Sequence, residues 1–426
     1  MNGPPPAGAA VIPGPPGMKL PHLRWWIAGL LFAASILNYL DRQTLSILAP
    51  TIQEELKLTD GDYALVVNCF LVAYTVAMLF SGRVVDHLGV RRSLALFVGW
   101  WSVANILTGF TRSLGSLGLF RFLLGLGEAG NWTASPKAVA AWFNARERGV
   151  AIGLYTLGAT IGATIAPLLI TTVASRYGWQ SAFVATGALG LLWLVPWLWL
   201  YREPREHPRL RESERVLLPD APPADEKPEG WRAVLRRREV WLLMLARLLT
   251  DPVWYFYQFW FAKYLHDERG VSQLGLSITF VIFLAADFGS LGGGWLSGLL
   301  VKGGQPAPAA RLRIMLLAAG VMPLSLIVPV AGWLWLVLAV GMVIAFAHMA
   351  WLINLSSLVV DLVPQRSLAT AFGVIATGSA LGGMAMNSAV GQVVSHGSYA
   401  PVFVALAFVH PLAIFILWRR RRQLAT

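Results

Sequence analysis

The chain has 426 residues, 56% of them hydrophobic and 13% charged, and its 34 Lys and Arg against 22 Asp and Glu give a formal net charge of +12. So apolar a composition excludes a water-soluble globule, and with it a soluble enzyme or nucleic-acid binder. The basic residues lie in loops between apolar runs, where anionic lipid headgroups account for them better than nucleic acid does.

Residues 1–24 begin "MNGPPPAGAAVIPGPPG", without the basic start and apolar core of a secretion signal, and are expected to form a disordered tail. Stretches of about 20 apolar residues, enough to cross roughly 30 Å of hydrocarbon, then recur along the chain. They fall at 25–49, 62–81, 93–110, 113–139, 149–173 and 180–201, and after a break at 240–264, 274–300, 311–331, 333–360, 368–394 and 400–418. The break, 202–239, is crowded with Pro, Arg and Glu and reads as a solvated linker. The expected fold is therefore an all-α integral membrane protein of twelve transmembrane helices, with six-helix bundles at 25–201 and 240–418 and a basic tail at 419–426. With both ends placed in the cytoplasm, the outer loops hold only Lys57, Arg112, Arg176 and Arg269, so orientation follows the positive-inside rule. The single cysteine, Cys69, can form no internal disulfide.

A charge near the bilayer centre costs from a few to more than about 10 kcal/mol and is tolerated where it faces a bundle interior or a watery cavity. Eight such charges stand within the spans: Asp41, Arg42, Arg121, Glu128, Arg247, Asp251, Lys263 and Asp287. In the first span Asn38 and Arg42 are four apart and share a face, while Asp41 lies about 100° round, so one turn offers an anion receptor and a titratable acid. In the fourth span, "LFRFLLGLGEAGNW", Arg121 and Glu128 lie on one face about 10 Å apart along the axis. Gly125, Gly127 and Gly130 let a neighbouring helix come close there. Such a glutamate is pulled two ways, by desolvation and by the nearby guanidinium.

Between the second and third spans "GRVVDHLGVRR" has the spacing GxxxDxxGxRR, carried by Gly82, Asp86, Gly89, Arg91 and Arg92. The glycines permit tight passage between helix ends, and Asp86 can pair with a basic residue or a helix amino terminus across a gate. In the seventh span Asp251 precedes Pro252, so "TDPVWYFYQFW" marks either a helix break or a plain kink. Tyr74, Gln258, Trp351 and Asn354 would suit a hydroxylated ligand or, equally, satisfy interhelical contacts. No HExxH, paired histidine ligands or GxSxG turn occurs in a span, so neither an enzyme, a metal site nor a bound cofactor is expected.

Six plus six helices, a basic central linker and the GxxxDxxGxRR segment resemble the major facilitator superfamily. "NYLDR", "GLGEAGNW" with "SPKAVAAWFNARERG", "YGWQSAFVATGALG", "TDPVWYFYQFWFAKYL" and "ADFGSLGGGWLS" resemble its anion:cation symporter family, in particular bacterial hexuronate transporters, from about Asn38 to about Tyr399. The resemblance implies a monomeric carrier of the bacterial inner membrane in which Arg42 binds the substrate carboxylate with Tyr74 nearby. Asp41 and Glu128 would be the protonatable sites, with Arg121 tuning Glu128 and protons as the coupling ion. Asn38, Tyr39, Gln258, Trp351, Asn354 and Ser379 complete the expected substrate set. The expected cargo is a sugar-acid monoanion such as galacturonate or glucuronate, the alternatives being an aldonate or small carboxylate, or a drug/proton antiport. Thr133 stands where these relatives commonly have proline, and "LYTLGATIGATIAP" lacks an amide found in some sugar-acid relatives, which leaves the individual sugar acid open.

Overall fold

A computed structural model describes residues 19–219, 229–271, 278–395 and 398–419, so most of the expected amino-terminal tail and the basic end after residue 419 lie outside it. Helices α1 (Leu23–Leu56), α2 (Asp60–Thr108), α3 (Leu114–Trp142), α4 (Ala145–Tyr177) and α5 (Trp179–Leu200) build the first half. The linker holds the short α6 (Glu212–Arg215) and α7 (Trp231–Arg236). The second half comprises α8 (Arg238–Phe259), α9 (Phe261–Arg269), α10 (Phe280–Lys302), α11 (Ala307–Val321), α12 (Ile327–Val330), α13 (Leu334–Leu362), α14 (Leu368–Ser395) and α15 (Ala400–Arg419). Among the described residues nine helical stretches are long and apolar enough to cross a membrane. One of them, within α2, doubles back, and α3 and the α8–α9 pair overlie the expected fourth and seventh spans, so the helices accommodate the twelve expected.

Local chemistry sets the boundaries. Thr59 starts α2 with a reciprocal cap to Asp62, Ser113 starts α3 in the same way with Ser116, and the side chain of Asn144 accepts from two backbone N–H groups at the start of α4. The segment expected as a loop, Gly82 to Arg92, is helical on both sides of a single break at Gly89, whose φ of 75° is open only to glycine at little cost. The two helices therefore run past the apolar spans and turn on one residue. In the seventh span the chain stays helical through Pro252 and breaks at Trp260, where α8 gives way to α9.

Large apolar side chains such as Leu168, Leu192, Leu317 and Phe415 point outward, as lipid contact requires, while small residues line the contacts between helices. A Cβ at Gly125 of α3 would stand 2.5 Å from the Phe70 carbonyl oxygen of α2, so only glycine permits this approach. The described stretch of the linker before residue 220, expected as part of a solvated break, docks instead on one end of the bundle. Glu214 accepts from the Leu23 backbone N–H at 3.2 Å, the Asn144 amide donates to the Leu217 carbonyl at 3.1 Å, and His207 packs edge-on against Trp142. This end, the linker face, is also where α1 begins, α2 bends and α3 passes to α4.

Candidate functional site

Arg42 on α1 reaches across to Glu128 on α3. Its Nε and Nη2 donate to Glu128 Oε2 at 3.0 and 2.8 Å. The Glu128 side chain is fully buried, whereas the Arg42 side chain is 28% exposed, so of the two partners only Arg42 reaches an open surface. Tyr39, Phe70 and Tyr74 surround it, their ring centres 4.9, 5.2 and 4.8 Å from Cζ, and hold the cation by its π-faces. The Asn38 amide donates to the Glu128 backbone carbonyl at 3.4 Å and ties the two helices at this level. Glu128 Oε1 is buried without a hydrogen-bond partner among the described residues. Tyr39 meets Trp132 edge-on, and Trp132 meets Tyr155 in turn, extending the aromatic wall onto α4.

The second acid is arranged differently. Asp41 is fully buried, and its Oδ1 accepts from the Asn105 amide of α2 at 2.6 Å. The same amide donates to Thr186 Oγ1 at 2.8 Å, and its oxygen accepts from Arg121 Nη2 at 3.3 Å. Arg121 also donates to the Asp41 backbone carbonyl at 3.4 Å and lies over the Phe183 ring. Glu128 is within electrostatic reach of Arg121, but its hydrogen-bonded ion pair is with Arg42. Asn105 and Thr186 did not stand out in the sequence; a lone amide in the otherwise apolar "WWSVANILTGF" was the available signal.

At the linker face the two halves are locked together. Asp86 Oδ1 accepts from Lys137 Nζ at 2.7 Å, while Oδ2 accepts from the Thr370 backbone N–H at 2.8 Å and from its hydroxyl at 2.5 Å. One carboxylate thus holds a cation of its own half and the amino end of α14 in the other. Gly82 lies against the Ala369 backbone, where a Cβ would be 2.1 Å from the carbonyl oxygen. Arg91 donates to the Leu198 carbonyl, bracing the bend at Gly89, and Arg92 is exposed. A further lock was not read from the sequence: Asp361 of α13 pairs with Arg148 of α4 and, at 3.3 Å, with Arg311 of α11. Arg311 also donates to the Ala145 carbonyl across the halves at 2.5 Å.

In the second half the expected ligand residues divide. Gln258 and Ser379 are half-buried, with Ser379 beside the Tyr255 hydroxyl. Trp351 and Asn354 are fully buried and occupied by neighbours. The Trp351 indole donates to Thr250 at 3.1 Å, and the Asn354 amide donates to the Gly293 carbonyl at 2.9 Å, so both join helices in this state. Arg247 pairs with Asp251 one turn on at 2.8 Å, Asp287 meets Thr160 across the halves, and Lys263 pairs with Asp267 at the surface. A buried pair the sequence did not announce, His348 and His410, has ring nitrogens 3.2 Å apart.

The profile of the Major Facilitator Superfamily matches residues 31–387. The chain is 30% identical over 410 residues to a hexuronate transporter of Escherichia coli (strain K12), an alignment that covers 94% of each protein. It is 31% identical over 291 residues to a galacturonate transporter of Dickeya chrysanthemi, covering 67% of this chain and 84% of that one. Among solved structures, the proton:xylose symporter XylE bound to 6-bromo-6-deoxy-D-glucose superposes with a TM-score of 0.73 at 14% identity, covering 93% of this chain and 95% of that one, a likeness of fold.

Proposed function

The chain belongs to the major facilitator superfamily, and from that premise together with the Arg42–Glu128 pair we propose that it carries a sugar-acid monoanion, a hexuronate such as galacturonate or glucuronate, in symport with protons. The observation that carries the proposal is that a fully buried acid occupies the guanidinium of the partly exposed Arg42, the group a cargo carboxylate would need. A guanidinium fork suits a carboxylate through two parallel hydrogen bonds, so cargo and Glu128 compete for the same Nε and Nη2. When cargo wins, Glu128 would be left as a buried carboxylate stripped of its ion pair, an arrangement that costs several kcal/mol. Taking up a proton removes that cost. Cargo binding and protonation thus favour one another, which is the thermodynamic content of symport.

The locks at the linker face close that side, so cargo reaches Arg42 from the opposite one. With the linker face in the cytoplasm, as the basic loops favour, that opposite side is the outside of the bacterial inner membrane. A lone monoanion entering would oppose the membrane potential, at about 2.3 kcal/mol per charge for 100 mV. One proton makes the step neutral, and a second, on Asp41, lets the potential drive uptake. Protons are the coupling ion, no other cofactor takes part, and one chain carries the whole pathway. The hexuronate and galacturonate transporters among its relatives support the cargo class.

The test is uptake into proteoliposomes under an imposed pH gradient, comparing the parent with Glu128→Gln. The amide is expected to keep exchange of cargo across the membrane and to lose accumulation against a gradient. Undiminished uphill uptake by Glu128→Gln would remove Glu128 from the coupling step.

A further inference from the structure

Arg121 and Asp41 are both buried, 2% and 0% exposed, and of opposite charge when ionised, yet they form no ion pair. Between them stands the Asn105 amide. Its oxygen accepts from Arg121 Nη2, and its two N–H donate to Asp41 Oδ1 and Thr186 Oγ1, with the Phe183 carbonyl sharing one of them at 3.3 Å. The guanidinium has only donors, so it fixes which end of the amide faces it. The NH₂ end is thereby turned to Asp41 in either charge state. Asp41 Oδ2 has no hydrogen-bond partner among the described residues.

Resting on the proton-coupled reading above, we propose that Asn105 is a positioning residue: an amide spacer that keeps Arg121 off the Asp41 carboxylate, so that Asp41 takes up and releases its proton at Oδ2. Direct contact with Arg121 would hold Asp41 as a carboxylate, because an opposite charge at contact favours the ionised form. The spacer weakens that hold by distance while still satisfying one carboxylate oxygen. The proton adds to Oδ2 without breaking any bond to Oδ1. The other groups facing Asp41 are Glu128 of α3 and two hydrogen-bonding groups beside its carboxyl, the Trp101 indole of α2 and the Thr186 hydroxyl of α5, and Tyr63 of α2 faces Arg121. None of them separates the two charges.

The experiment reads the external pH at which proteoliposome uptake is half-maximal. Asn105→Ala lets Arg121 close on Asp41, so the midpoint is expected to move to acid by about 1 to 3 units. Asn105→Asp keeps the shape of the side chain but binds Arg121 and sets a second carboxylate against Asp41, so its midpoint is expected to move the opposite way. Counterflow exchange of cargo at constant pH is expected to persist in both. A merely structural role would lower the rate of both variants without driving the midpoint in opposite directions, and that result overturns the proposal. Should Asn105→Ala not fold, the isosteric Asn105→Asp still decides, since an unmoved midpoint there refutes the spacer. Asp41→Asn distinguishes the failures. Loss of uphill uptake in it, with midpoints unmoved at Asn105, refutes the spacer alone, whereas full uphill uptake by Asp41→Asn overturns both the Asp41 proton site and the spacer that serves it.

Discussion

The gate at the linker face rests on backbone contact between α4 and α10, and a single methyl group should open it. A Cβ at Gly294 would stand 2.3 Å from the Gly149 carbonyl oxygen, and one at Gly149 would stand 2.8 Å from the Gly294 Cα. The first falls about 1 Å short of ordinary contact, and the atom it meets is backbone, which cannot swing aside as a side-chain tip can. Overpacking of this kind costs about 1–3 kcal/mol. Because the clash exists only while the halves are closed here, Gly294→Ala should move the closed-to-open balance toward opening by roughly 5- to 140-fold, at about 1.4 kcal/mol per factor of ten. Ser367, just before α14, is fully buried where that segment packs on α2 and α3 between the halves, so Ser367→Cys, with Cys69 replaced by serine, reports opening by its reactivity toward a thiol reagent applied at the linker face. Gly149→Ala should act in the same direction. The double variant should cost less than the two together, because the first methyl group already parts the helices for the second. If both alanine variants label and transport as the parent does, backbone contact between α4 and α10 does not hold the gate.

Arg42→Lys keeps the charge but loses the planar fork, so cargo affinity by equilibrium binding should fall at least about tenfold, and parental affinity would exclude a bidentate grip. Asp361→Asn leaves Arg148 and Arg311 without their shared acid; breaking a buried pair costs about 3–5 kcal/mol, so the Ser367→Cys reporter should again become reactive, and continued protection would show that the Asp86 lock suffices. Glu229, in the linker, is pushed up by burial, but hydrogen bonds from Arg237 and Arg366 outweigh that and hold it below the ordinary glutamate range. Its folded value being depressed, its stabilisation is present above the ordinary value of about 4.3 and is lost only as pH falls through the lower folded value. The stability difference between the parent and Glu229→Gln should therefore stay level from pH 8 to about 5 and shrink below about 4. A difference that vanished between pH 7 and 5 would contradict this sign.

What was legible in the sequence was whatever lipid enforces locally. Apolar runs of spanning length, basic loops and charges inside spans all follow from the cost of placing charge in hydrocarbon, so the spans and the charged shortlist could be read one segment at a time. Pairing could not, because it is decided between helices. Arg121 and Glu128 share a face seven residues apart, yet the level at which each meets its neighbours gives Glu128 to Arg42 and Arg121 to Asn105. For Trp351 and Asn354 the sequence leaves cargo contact and interhelical contact equally open, and which neighbour satisfies each is set between helices, here Thr250 and the Gly293 backbone. The Asp361 lock was hidden for a different reason: Arg148, Arg311 and Asp361 each sit near a helix end, where a charge looks like ordinary headgroup contact until the ends are brought together.

The proposed cargo site and the linker-face contact share one element. Tyr74 of α2 lies against the Arg42 guanidinium, and one turn on, the Met78 carbonyl oxygen lies 2.3 Å from where a Cβ at Gly373 of α14 would stand. A further turn brings Gly82 onto the Ala369 backbone, and another brings Asp86 onto the start of α14. These residues recur every four positions, so they follow one ridge of a helix that does not break until Gly89. Helices move as stiff bodies and packed faces do not slide freely, so a tilt of α2 that resets Tyr74 against Arg42 must also lift Met78, Gly82 and Asp86 from α14. In the proposed mechanism, exchange of Glu128 for a cargo carboxylate on Arg42 takes place at one end of that lever. The lock on α14 is at the other, about 18 Å away at 1.5 Å per residue, and no chain of intermediate side chains is needed to connect them.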